Sequence, residues 1–247
     1  MNAMLEFMPH WMFALLRFLP LCVIPAFTPF TWAPLHIRIF LLVALATLGA
    51  SVMPASASSS LFKGSLTELM VGGCFALAVM LPMAAVGVPG RLLDIQAGLA
   101  SANLFNPSLQ TTDSLLGTLL SLAATLVFFG LGFHLLLIKA LVASAQWVPL
   151  GGTLSLAGPA PLLALLGSQF LLGLMVVLPA VLGLFAVDIA VAYASRSMPQ
   201  ANIYFLALPI KVVAVLLLLA ASLRLAPALI GRLFADALNR APHMLGH

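Results

Sequence analysis

Along most of this chain the apolar residues form continuous runs, not the spaced stripes of a water-facing helix. Six runs approach or exceed the about 20 residues that a helix needs to cross a bilayer, at residues 11–27, 35–53, 66–88, 115–141, 162–194 and 203–225. Between them lie stretches rich in turn-forming residues: TPFTWAP, PASASSSLFKG, the long RLLDIQAGLASANLFNPSLQTTD, SAQWVPLGGTLSLAGPAP and SRSMPQAN. Each long run predicts a helix. After Pro227 the pattern changes, with Leu229, Leu233 and Ala237 on one side and Arg232, Asp236 and Arg240 between them. That spacing predicts an amphipathic helix suited to an interface or a partner. The expectation is an all-α, polytopic helical membrane protein with about six long apolar helices, several of them kinked, plus a C-terminal amphipathic helix.

The kinks come from proline. Pro82 lies in the third run and Pro89 at its end, Pro179 in the fifth and Pro209 in the sixth. A proline inside a helix frees a carbonyl that only protein or water can satisfy at membrane depth. Small residues such as Gly72, Gly73, Gly130, Gly132, Gly167 and Gly173 recur in the same runs, and small faces permit close helix contact.

Composition agrees with this picture. Of 247 residues, 63% are hydrophobic and 6% charged, against roughly half and a quarter in a soluble domain, so no water-soluble surface can be built. No polar block is long enough to fold separately, which predicts one unit over residues 1–247. The net charge is +4, but the Lys and Arg residues are spread singly, without the basic face that nucleic-acid binding requires. Cys22 and Cys74 are isolated and support neither a zinc site nor a disulfide framework. The start, MNAMLEFMPH, lacks a basic stretch ahead of the first apolar run, so it reads as a retained helix and not as a signal peptide. If all runs span, Lys63, Lys139, Arg224, Arg232 and Arg240 share the side of the termini and Arg91 and Arg196 lie opposite, which favours cytoplasmic termini.

Arg17, Arg38, Glu68, Lys139, Asp188 and Lys211 lie inside or at the edges of apolar runs. Each reads as part of an ion path, or as a helix-end snorkel or structural ion pair. Asp188 and Lys211 allow a closer argument. If residues 198–202 turn the chain between antiparallel helices, Asp188 lies 11 residues before Pro199 and Lys211 lies 11 after Gln200. Both then stand on the order of 16 Å from the turn, at similar height, and a structural ion pair would neutralise them.

Catalytic constellations are absent from the sequence: no GxSxG, no HExxH, no phosphate-binding glycine loop and no carboxylate pair beside a histidine. His134 stands alone in GLGFHLLL and reads as a packing or hydrogen-bonding residue before a ligand. No enzyme activity, metal or cofactor is expected.

Taken in order, several local motifs resemble the FliR family, the export-gate subunit of bacterial flagella, with its SctT counterpart in virulence injectisomes. They begin with RFLPLCVIPAF from Arg17, PLHIRIFLLVAL with Arg38, Pro54, TELMVGGCFAL and GRLLDIQAGLASANLFNPS. GFHLLLIKALVASAQWVPLG and LPAVLGLFAVDIAVAYASRSMPQANIYFLALPIK follow, the last being the most specific. The resemblance covers nearly the whole chain, and the histidine in GFH points to the flagellar branch. It implies a channel component of the bacterial inner (cytoplasmic) membrane at the flagellar basal body. Such a chain assembles with FliP-type and FliQ-type subunits, beside FlhA/FlhB-type proteins, and unfolded protein substrates pass through the centre. In this family much of the assembly sits above the membrane lipid, with apolar helices buried against neighbours. Competing readings are an injectisome subunit and a small secondary transporter, for which Asp188 would be the midplane residue.

The segment GLASANLFNPSLQTTD belongs to the longest polar interruption in the chain. Irregular backbone at membrane depth must be satisfied by protein or by a water-filled cavity, so this segment is expected to line or plug a lumen. An ordinary solvent-exposed connection is the other reading. Gly98, Ala100, Ser101 and Ala102 are small enough for a constriction, Leu104 and Phe105 can exclude water, and Asn103, Asn106 and Pro107 supply turn chemistry. The resemblance implies the same role, a pore plug beneath a methionine-lined gasket of the FliP-type subunits.

Overall fold

The computed structural model describes residues 2–23, 33–54, 60–99, 114–153, 158–197, 203–222 and 224–246. Among these, the regular structure is eight α-helices and one short 3-10 turn at Ser144–Gln146. The helices are α1 (Asn2–Val23), α2 (Leu35–Val52), α3 (Leu61–Ala97), α4 (Leu115–Gly130), α5 (Phe133–Ala143), α6 (Ala160–Ser197), α7 (Ile203–Ser222) and α8 (Ala226–Met244). The protein is all-α. Four helices, α2, α3, α6 and α7, are long and apolar enough to cross a membrane, while the apolar part of α1, Met8–Val23, is shorter.

Two expected helix boundaries are corrected. The run over residues 115–141 is not one helix, because α4 and α5 meet at a bend of 64°. Gly132 sits there with φ 75°, a left-handed conformation natural to glycine, and its carbonyl accepts the N–H groups of Leu135 and Leu136 at 3.0 and 3.2 Å. The third run does not stop near Pro89 either, since α3 continues to Ala97. Residues 91–97 look like loop because Arg91, Asp94 and Gln96 are polar, yet Leu93, Asp94 and Ala97 are buried on one side at the spacing of a helix face.

The chain gathers into two compact units, and the division falls inside α3, α4, α6 and α8. One comprises residues 1–83, 128–168 and 234–247. In it α1 packs on α2 where Gly49 admits the Phe18 ring, and α1 crosses α3 where Gly72 faces the Arg17 carbonyl. A Cβ on Gly72 would lie 2.1 Å from that oxygen, so the crossing is backbone to backbone. Phe234 of α8 closes an aromatic cluster with Phe128 and Phe133, at ring-centroid distances of 5.1 and 5.5 Å.

The other unit comprises residues 84–127 and 169–233. Here Pro89 deprives the Ala85 carbonyl of its normal helical donor, and Gly173 of α6 lies directly over that oxygen, where a Cβ would come within 2.2 Å. The carbonyl freed by Pro89 in α3 and the glycine in α6 are thus matched. Gly90 and Gly117 bring α3 and α4 into the same intimate contact. Gly183 lies against Leu218 and Asp188 against Lys211, the order of antiparallel neighbours in α6 and α7.

Candidate functional site

Of the residues expected to form a plug, only Gly98 lies among the described ones; Ala100, Ser101, Ala102, Asn103, Leu104, Phe105, Asn106 and Pro107 lie outside them. The helices that flank the segment are described, and their ends are joined. Gly98 ends α3 with φ 80°, its N–H donating to the Ile95 carbonyl at 3.2 Å. Leu208 of α7 lies against it, where a Cβ would meet the leucine Cδ2 at 2.5 Å.

At the far end of the segment Ser114 begins α4. Its Oγ accepts the Gly117 N–H at 2.8 Å, which satisfies one of the donors that every helix start leaves free. A second donor, the Leu116 N–H, goes to Asp94 of α3, at 3.1 Å from Oδ1 and 3.2 Å from Oδ2. The Ser114 hydroxyl also donates to Asp94 Oδ2. A buried carboxylate is costly unless hydrogen-bonded, and here the start of α4, with its positive dipole end, receives it. Sequence reading passed over Asp94 because it assigned that stretch to the loop. The usable signal was Ser114 directly ahead of an apolar run, the mark of a helix start.

The second centre lies in the first unit. Arg17 and Glu68 are both 0% exposed. Arg17 Nε donates to Glu68 Oε2 at 2.5 Å and Nη2 to Oε1 at 3.1 Å, a two-point match of guanidinium and carboxylate. Nη2 also donates to the Val148 carbonyl at 2.8 Å and Nη1 to Ser144 Oγ at 3.3 Å. Glu68 Oε1 accepts the Gly151 N–H at 2.9 Å. Between the two readings open for Glu68 and Arg17, the geometry is that of an ion pair, since neither side chain reaches a helix end or solvent. The pair joins α1 and α3 to the turn at residues 144–151. No local signal in the sequence could have paired residues 51 positions apart.

In the second unit Lys211 Nζ and Asp188 Oδ1 are in ion-pair contact, with side chains 17% and 44% exposed. The turn at residues 198–202 that would connect their helices lies outside the described residues. An apolar groove of about 300 Å³ runs beside the pair, lined by Val187, Val191, Ile203, Leu206 and Ile210 among others. Lys139 is exposed on α5. His134 packs against Phe128 and Phe129, with ring centroids 6.4 and 5.3 Å away, and among the described residues its buried Nδ1 has no hydrogen-bond partner. Among the described residues no group of three or more His, Cys, Asp or Glu side chains is arranged to hold a metal ion.

Much of the surface is apolar. Phe40, Leu48 and Val52 on α2, Leu182, Phe185 and Ile189 on α6, and Leu206 and Leu217 on α7 are all exposed. Contiguous apolar surface on this scale is covered by lipid or by other chains. The two ion pairs hold helices together, and Asp94 ties the end of α3 to the start of α4.

The sequence model of the family described as "Bacterial export proteins, family 1" matches residues 8–237. Flagellar biosynthetic protein FliR of Bacillus subtilis is 27% identical over 149 residues, covering 59% of this chain and 58% of that protein. Flagellar biosynthetic protein FliR of Escherichia coli is 27% identical over 173 residues, covering 70% of this chain and 66% of that one. Secretion system apparatus protein SsaT of Salmonella typhimurium is 29% identical over 164 residues, covering 62% of this chain and 60% of its own. The matched stretch therefore spans about three fifths to two thirds of the length of these relatives.

Proposed function

From the premise that this chain belongs to the bacterial export proteins of family 1, we propose that it is a subunit of a type III protein export gate, in the flagellar branch. The observation that carries the reading is the family match over residues 8–237 together with relatives named as flagellar FliR proteins. The chain serves as one wall of a closed helical channel in the bacterial inner membrane. It assembles there with FliP-type and FliQ-type subunits beside FlhA/FlhB-type proteins, and unfolded proteins pass through. It acts as a single subunit over its whole length and is not an enzyme.

The exposed apolar faces of α2, α6 and α7 support an assembly of this kind, because a chain with so few charges needs lipid or partner helices over most of its surface. The segment of residues 98–107 serves as the pore plug, and Asp188 with Lys211 as a structural ion pair. Co-purification tests the assignment: an affinity-tagged chain should bring FliP-like and FliQ-like subunits with it from the membrane. Isolation as a stable monomer or homo-oligomer, with no such companions, counts against it.

A second reading has its own support, since the injectisome protein SsaT is also a relative. The two branches separate on phenotype. A flagellar subunit, when deleted, abolishes swimming and hook assembly, whereas an injectisome subunit leaves swimming intact and stops secretion of virulence proteins.

A further inference from the structure

The acidic side chains described in the structure are all engaged within the chain. Glu68 holds Arg17, Asp94 holds Ser114 and the Leu116 N–H, Asp188 meets Lys211, and Asp236 takes Arg240 and the Ser168 hydroxyl. Arg224 and Arg232 are exposed, and among the described residues neither has a counterion. Two guanidinium groups near the start of α8 are therefore left for an anion from outside the chain.

Their height follows from α7. That helix is long and apolar enough to cross a membrane and ends at Ser222. The Leu225 N–H donates to the Ser222 carbonyl at 2.9 Å and the Leu229 N–H to the Leu225 carbonyl at 3.2 Å, so α7 passes into α8 through one hydrogen-bonded turn. Arg224 and the first turns of α8 stand where α7 leaves the hydrocarbon. On α8 the apolar face is spent inside the chain, with Ile230, Leu233, Phe234 and Ala237 buried. The opposite face exposes Ala228, Arg232, Asn239 and His243 at helical spacing. Among the described residues no large apolar side chain is exposed on α8 itself, while Leu225 in the turn is 65% exposed.

We infer that Arg224 and Arg232 form a binding site for anionic phospholipid headgroups, on the outward side of the turn from α7 into α8. A guanidinium offers a phosphate two parallel N–H donors, and Leu225 beside Arg224 meets the adjoining hydrocarbon. A docked protein would need apolar or aromatic anchors at the centre of its contact, and the outward face of α8 presents none. The site requires α7 to cross the bilayer and is independent of what the complex exports. Each arginine near an anionic membrane surface raises affinity about fivefold, and the two together roughly thirtyfold, with the attraction screened by salt.

The test uses the tagged chain as purified from the membrane, with the subunits it brings, in uncharged detergent. Phosphatidylglycerol or phosphatidylcholine is titrated into the micelles and the melting temperature is read, since a ligand of the folded state raises it in proportion to its binding. The parent should be stabilised by phosphatidylglycerol and not by phosphatidylcholine, less so at high salt. Arg224→Gln and Arg232→Gln should each weaken the apparent affinity about fivefold and the double variant roughly thirtyfold. Arg224→Lys with Arg232→Lys should keep most of it. Lys139→Gln, at an exposed cation on α5, should behave like the parent.

Equal stabilisation by the two lipids, or an unchanged response in the double glutamine variant, overturns the inference. So does a loss in Lys139→Gln as large as in the arginine variants, because the effect is then one of total charge. An equal shift with inorganic phosphate alone overturns the assignment to lipid. If the double variant loses a companion subunit while its response to phosphatidylglycerol is kept, the face docks an acidic protein and the inference falls. Should the double variant not assemble, the two single variants decide by the same criterion.

Discussion

The Arg17 guanidinium faces the Glu68 carboxylate edge to edge, with Nε 2.5 Å from Oε2 and Nη2 3.1 Å from Oε1, and both side chains are shut off from solvent. Removing one partner from such a buried pair leaves an uncompensated charge and costs about 3–5 kcal/mol. Arg17→Met or Glu68→Met should each strongly lower the melting temperature of the purified gate complex. The double variant should be less damaged than the sum of the two, because no lone charge remains. Additive losses, measured as a double-mutant cycle, would show that the two side chains contribute independently.

Gly173 covers the carbonyl of Ala85 that Pro89 leaves without a helical donor, and a Cβ there would lie 2.2 Å from the oxygen. Because the obstacle is backbone, it cannot swing aside, and overpacking of this kind costs about 1–3 kcal/mol or more. Gly173→Ala should reduce recovery of the assembled complex. Gly167→Ala, on the same helix but with no atom of the described residues within 4 Å of the added carbon, should leave recovery unchanged. Equal recovery of the two variants would mean that α3 and α6 do not touch as described.

The break between α4 and α5 depends on Gly132, whose φ of 75° an L-residue adopts at a cost of about 1–2 kcal/mol. Gly132→Ala is therefore expected to destabilise the complex by about that amount in thermal unfolding. Gly130→Ala, at a position without positive φ and with no atom of the described residues within 4 Å of the added carbon, serves as the control and should unfold like the parent. A harmless Gly132→Ala would show that α4 and α5 can run on as one helix.

Asp188 and Lys211 are in contact but only half enclosed, at 44% and 17% exposure. Their energetic weight comes from what covers them, since an ion pair in water is worth about 0.2–1 kcal/mol and one removed from water far more when a single partner is lost. In the assembled gate, Asp188→Asn and Lys211→Met are each expected to impair assembly, with the double change restoring part of it. If the two effects simply add, the contact has no structural role.

Expressed without companions, the chain should aggregate in detergent, because residues such as Phe40, Phe170, Phe185 and Leu206 remain uncovered. Size-exclusion chromatography checks this. A monodisperse, heat-stable monomer would be the contrary result.

The helical class, the membrane character and the amphipathic last helix were legible in the sequence, because each follows from local pattern. Runs of apolar residues have to form helices where water is excluded, and the spacing of Leu229, Leu233 and Ala237 can only suit a helix with one buried side. The order of motifs also carried the family. Two local features misled, however. Arg91, Asp94 and Gln96 have loop-like polarity, yet their helix continues because Leu93 and Ala97 are buried by neighbours. The apolar run over residues 115–141 gave no warning of a bend, because glycine serves equally as a packing residue and as a left-handed hinge.

For Arg17, Glu68 and Asp94, only the tertiary structure decided which polar groups each meets. Arg17, Glu68 and Asp188 are alike in the sequence, each a single ionisable residue in an apolar run. The fold gives Arg17 and Glu68 three further polar contacts among residues 144–151 and full enclosure, while Asp188 keeps a partly open pair with Lys211. Asp94 gains its place from Ser114 and Leu116, 20 and 22 residues away. Local sequence sets the helix because its hydrogen bonds close within four residues. The partners of a buried charge are set by how the helices cross, and that crossing depends on small residues and prolines whose mates lie on other helices.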